Sequence, residues 1–116
     1  MATKEQLMTH LKKWTDLLEK EPEVADEFED FNKVFLFVFP DIGFSVKMLF
    51  ENKKAQLEEG TMENPDMSLT VNSDLFYGIL KGDVDPMEAF MEGELQPKGS
   101  PADLQRLEIF MDYEDD

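Results

Sequence analysis

Six consecutive apolar residues, Val34-Phe35-Leu36-Phe37-Val38-Phe39, constrain the fold of this chain more than any other feature. The run is rich in strand formers, and it is far shorter than the roughly 20 residues that cross a bilayer. Neighbouring side chains of a strand point to opposite faces, so a run apolar at every position needs cover on both sides of its sheet. The rest of the chain must supply that cover. Its 116 residues suit one domain with one core, residues 1–116, without metal or disulfide staples; there is no Cys.

Cover is offered first upstream. Thr3 and Gln6 have capping-box spacing, and Leu7, Leu11, Trp14 and Leu18 follow on one helical face until Pro22 ends the run. Val24, Phe28 and Phe31 repeat the spacing on a second short helix. Downstream, Pro40 to Gly43 reads as a turn. A strand then alternates Phe44, Val46, Met48 and Phe50 against Ser45, Lys47, Leu49 and Glu51, so one face is core and the other mostly wet. Asn52-Lys53-Lys54 closes a hairpin into residues 55–58, and Met67 to Val71 is a further strand. The strands are expected to follow one another in order.

Beyond Val71 the period is helical again. Asn72 or Ser73 caps a helix with Leu75, Phe76, Ile79 and Leu80 as its apolar stripe and Gly82 as its stop. Asp85-Pro86-Met87-Glu88 opens another, with Asp85 as cap, Pro86 in the first turn and Glu88 completing a box. Residues 94–99 form a last short strand in which Pro97 implies a sheet edge or a bulge. Ser100-Pro101 caps one final helix carrying Leu104, Leu107, Phe110 and Met111, and the acidic end, residues 112–116, is expected to fray. Runs of strands set apart from helices indicate an α+β fold with the helices gathered on one face.

Charge narrows the partners. With 27 acidic and 11 basic residues the formal charge is −16. Residues 59–116 carry −12 of it, with 15 acids against 3 bases. Such a surface repels nucleic acid and disfavours strong binding to anionic membranes. The N-terminus has no signal-peptide pattern, which points to a soluble, cytoplasmic protein. Catalytic chemistry is equally thin. The only His, His10, falls on the polar side of the first helix, no glycine spacing cradles a phosphate, and no Cys/His set can hold zinc. The expectation is no enzyme, no catalytic residue, no metal and no cofactor.

The segment from Leu80 to Gly99 resembles the signature of the sterol carrier protein type-2 family. Its Gly82, the capped Asp85-Pro86, Ala89-Phe90-Met91, Gly93, a short strand and Gly99 stand in the family's order. Pro65-Asp66, the alternation of Met67 to Val71 and the capped Leu75-Phe76 are also similar to the family, and the likeness runs roughly from Phe31 to Leu107. Pro97 departs from the pattern, as does the terminal Asp115-Asp116, which is unlike a peroxisomal address. The resemblance implies a five-stranded mixed sheet covered by helices, an apolar tunnel for fatty acids, fatty acyl esters or sterol-like molecules, and binding or transfer without bond breaking.

On that footing the expected ligand-binding wall is Phe44, Val46 and Met48 from the sheet, with Phe76, Ile79, Leu80, Phe90, Met91, Leu107, Phe110 and Met111 from the helices. Met and Phe suit such a lining, since flexible and flat side chains repack around ligands of different shape. An empty tunnel is costly, so it should be collapsed or occupied. A polar head is expected at the mouth near Lys47, Lys98 or Arg106. The competing reading is a protein-protein interaction or dimerisation module without a ligand, in which Phe35, Phe37 and Phe39 form an exposed patch if the helices cover only the other face. The chain is accordingly expected as a monomer or a homodimer.

Overall fold

The computed structural model describes residues 2–113, with backbone only for Pro101, Leu104 and residues 111–113. The last three residues of the acidic tail, and the side chains of the two before them, lie outside that description, so the expected fraying is not addressed. Helix α1 (Lys4–Lys20) begins where Thr3 and Gln6 form the reciprocal capping box, and buries Leu7, Leu11, Trp14 and Leu18. Helix α2 (Pro22–Asp26) is one turn and a half, shorter than the spacing of Val24, Phe28 and Phe31 predicts. All three residues are buried nevertheless, because the following turn, with Asp30 at positive φ, folds Phe28 and Phe31 back onto the sheet.

Strand β1 (Val34–Phe39) leads through a 3₁₀ turn at Pro40–Ile42 into β2 (Phe44–Glu51), and the pairing is antiparallel with Phe39 opposite Phe44. Asn52 and Lys53, both at positive φ, turn the chain into β3 (Lys54–Glu59). Strand β4 (Met67–Thr70) does not extend this meander. It lies parallel to β1 on the other side, with Phe35 opposite Met67, and β5 (Gln96–Lys98) pairs antiparallel with β4. The order β3-β2-β1-β4-β5 puts the apolar run at the centre and Pro97 on an edge, where a missing donor is tolerated. The expected five-stranded mixed sheet is therefore present.

Register decides which face each ring occupies. Phe35 and Phe37 stand opposite Met48 and Val46, so these four side chains share a face, and Phe35, Phe37 and Phe39 are fully buried. The exposed aromatic patch expected under the interaction-module reading is thus corrected: the helices cover the phenylalanine face. On the opposite face Leu36 is buried between Lys47 and Ser68 in the ladder, while Val34, Val38 and Leu49 are partly exposed. The cover expected on both faces is thus complete over the phenylalanines and only partial on this side.

Helix α3 (Ser73–Lys81) starts from Asn72, but the cap comes from elsewhere. Asp41 accepts from the Ser73 amide at 2.9 Å and from its hydroxyl at 2.6 Å. Gly82, at φ 85°, closes the helix in the left-handed conformation that suits a residue without Cβ. Asp85 caps α4 (Pro86–Met91) through the Met87 amide, which is the N2 bond of a simple cap and not the N3 bond of a box. The single last helix expected from the sequence is two, α5 (Pro101–Gln105) and α6 (Leu107–Tyr113), broken at Arg106. Arg106 lies over the Phe31 ring, 4.8 Å from its centroid, and its guanidinium donates to the Glu27 carbonyl. At the break the Arg106 amide bonds back three residues, to the Asp103 carbonyl at 3.1 Å.

The Ser73 bonds hold the Asp41 carboxyl below its ordinary value of 3.8. A lowered folded pKa adds stability above the unfolded value, and that increment is lost as pH falls through the folded one. Asp41→Ala should cost about 1 kcal/mol at neutral pH, as loss of a helix cap does. Denaturant unfolding of both proteins should show the gap narrowing as pH falls below the ordinary carboxylate range; a gap independent of pH would contradict the assignment.

Candidate functional site

The space between the inner face of the sheet and the helices is the candidate site. Val46 and Met48 rise from β2 beside Phe35 and Phe37 of β1, and Met67 and Leu69 continue the floor on β4. Alternation puts them there, since each strand is apolar at the positions that face the helices. Above them α1 contributes Trp14, α3 contributes Phe76 and Leu80, and α6 contributes Leu107 and Phe110, all within one buried cluster. Ile79 is buried as well.

Aromatic stacking fills the middle. Trp14 and Phe110 stack with centroids 5.0 Å apart and planes 5° from parallel. Phe28 stacks on Phe110 at 5.0 Å and on Phe50 at 5.2 Å. Phe76 leans on Phe37 and on Phe39, each at 5.4 Å. Offset and edge contacts of this kind favour the pairs beyond simple burial. Rings thus make up much of the described interior.

Clefts open to solvent at the margins of the described residues. One, about 680 Å³, lies between the start of α1 and the turn after β1 and is lined by Ala2, Lys4, Ile42, Phe44 and Glu59 among others. Phe44 is thus only partly buried, at the lip of the site, with the Lys4 ammonium 5.4 Å from its ring centroid and 2.9 Å from Glu59. Another, about 320 Å³, is mostly polar and lies by the ends of β4 and β5, with Thr70, Asn72, Glu94 and Gln96 on its wall.

Of the wall expected from sequence, Val46, Met48, Phe76, Ile79, Leu80, Leu107 and Phe110 are buried inside. Phe90 and Met91 are not: they stand 49 % and 77 % exposed on α4 beside Met87 at 59 %, while Ala89 is the residue that this helix buries. The expectation that they face inward is corrected. Six residues make less than two turns, and packing Ala89 inward rotates its immediate neighbours away. The side chain of Met111 lies outside those described. Trp14, Phe35 and Phe37, absent from the expected wall, belong to the same buried cluster. Counting outward from the turn at Pro40, which sets Phe39 against Phe44, would have placed the two strand rings.

The charges expected at a mouth are elsewhere too. Lys47 alternates with Val46 and Met48, so it points to the outer face, where Glu58 holds it at 2.7 Å. Lys98 pairs in register with outward Ser68, and Arg106 is engaged by Phe31 and Glu27. His10 is half-buried with its ring edge-on to Tyr77 at 5.3 Å. Among the described residues no group of three or more His, Asp or Glu is placed to hold a metal ion. No described helix is long and apolar enough to cross a membrane.

The fold and this interior define a class: a mixed five-stranded sheet whose ring-rich face is closed by helices on one side. The sequence model of the SCP-2 sterol transfer family matches residues 11–112, and the chain belongs to that family. The solution structure of sterol carrier protein domain 2 of Helicoverpa armigera is similar, with a TM-score of 0.69, 17 % identity, and cover of 96 % of this chain and 91 % of that one. Apo sterol carrier protein 2 from Yarrowia lipolytica gives 0.63, with 20 % identity over 84 % of this chain and 83 % of its own. The inverting sec-alkylsulfatase Pisa1 from Pseudomonas sp. gives 0.60 at 16 % identity over 73 % of this chain, which spans only 13 % of that enzyme's length. Comparison with curated proteins gives no match.

The inside and outside positions separate by stability. Phe110→Ala, which opens a hole at the centre of the stack, should cost about 3–5 kcal/mol in denaturant unfolding. Met91→Ala should change it by less than about 0.5 kcal/mol. Comparable losses at both positions would place Met91 inside.

Proposed function

We propose that the whole chain acts as one non-catalytic domain that binds, and passes on, elongated apolar lipids: fatty acids, fatty acyl esters or sterol-like molecules. The observation that carries this reading is the family match over residues that enclose a single apolar interior of rings and methionines. Val46, Met48, Phe76, Ile79, Leu80, Leu107 and Phe110 would line the occupied tunnel, with Phe44 at its lip. Met87, Phe90 and Met91, outside on α4, would make first contact with the incoming chain, and Met111 would join the wall from α6.

Magnitudes favour a site that opens on demand. Burying about 15 methylenes offers on the order of 12 kcal/mol at ~0.8 kcal/mol each, before ordering costs. An empty tunnel of ~300 Å³ would cost about 7 kcal/mol at ~24 cal/mol per Å³, comparable with the stability of a whole domain. A closed stack of rings in the free protein and a lipid in their place in the loaded one avoid that cost. The charge of −16 fits work in the cytoplasm away from nucleic acid and anionic bilayers, as monomer or homodimer.

A second reading has its own support. In the sulfatase the matching region is a small part of a much longer chain, so the same fold also serves as an attached module. Denaturing extraction of the purified protein followed by mass spectrometry should release a lipid, and added fatty acid should raise the melting temperature by several degrees, since a ligand that binds only the folded state stabilises it. Protein that yields no lipid and melts unchanged would favour the module.

A further inference from the structure

Among the described residues Ser73 and Trp14 are both buried and carry polar atoms, and they differ in one respect. Ser73 is fully buried and satisfied by Asp41. Trp14 is 1 % exposed, and its Nε1–H is buried without a hydrogen-bond partner among the described residues. Buried donors are almost always paired, because an unpaired one loses its bonds to water and gains nothing. The rings of Phe110, Phe37 and Phe76 pack around the indole. A tryptophan whose only task was packing would be served by another hydrocarbon. This one keeps a donor at the centre of the space that a lipid would take.

We propose that Trp14 is the polar anchor of the lipid site, its Nε1–H donating to an acceptor oxygen of the bound lipid. This rests on the lipid-binding reading given above and deepens it by naming the ligand chemistry. The oxygen is neutral, that of an ester, ketone or hydroxyl, because the buried cluster around Trp14 is made of apolar residues and burying a carboxylate without a partner is far costlier. The ligand then lies with its oxygen inside, against α1, and not at a charged mouth. The placement agrees with Lys47 and Lys98 pointing to the outer face of the sheet.

The chain has a single Trp, so the anchor reports on itself. Methyl palmitate and heptadecane, nearly matched in length and delivered from cyclodextrin, would be titrated by calorimetry into the wild type and Trp14→Phe. The wild type should prefer the ester by about tenfold, the size of one net hydrogen bond, and the variant should lose that preference. In the wild type the Trp14 emission should shift to the red with the ester and not with the hydrocarbon. That arm does not depend on the variant folding. If both ligands bind the wild type equally and the emission responds alike to both, the anchor is wrong while lipid binding stands. If neither ligand binds, both readings fall.

Discussion

The structure depends on keeping one face of one sheet dry. Phe35, Phe37 and Phe39 occupy the central strand, and the strands paired to it add Val46, Met48, Met67 and Leu69 to the same face. Rings of this size bury large apolar areas, so the helices must remain over them. The capping box at Thr3, the Asp41 cap on α3 and the Arg106 clamp on Phe31 each fix one helix or helix break in that cover. They act at separate places toward one end.

What the sequence disclosed follows from how local each signal is. The strand at 34–39, its hairpin partner, the Thr3 cap and the Gly82 stop are written within a few residues of where they act, and they stand where the pattern predicts. The parallel pairing of β4 with β1 joins residues over thirty positions apart, and nothing in either segment states it. The split falls at Arg106, whose side chain meets Glu27 and Phe31 far upstream. For the same reason the wall was legible in part. Strand alternation identified Val46 and Met48, but the rotation of a six-residue helix is fixed by what Ala89 packs against, and so Phe90 and Met91 were placed wrongly.

Stability and ligand binding make opposite demands on the same side chains. The stack of Trp14, Phe110, Phe28 and Phe50 is what a small domain needs to hold its helices down. A lipid bound as proposed would enter where those contacts give way. The C-terminal side of the cover is assembled from short elements, six residues in α4, five in α5 and seven in α6, against seventeen in α1. Short helices gain little from their own backbone bonds and depend on tertiary contacts, so this side is the natural one to yield.

Pro97 has a consequence for how copies of this protein meet. Open sheet borders invite a further strand from a neighbouring molecule, the first step toward fibrous growth. Here one border is a three-residue strand that lacks a donor at its midpoint, and the other carries Lys54, Glu58 and Glu59. The row of amides is broken by Pro97 on the first border, and charged side chains guard the second. Both devices disfavour strand addition along the rims of a sheet with so greasy a centre.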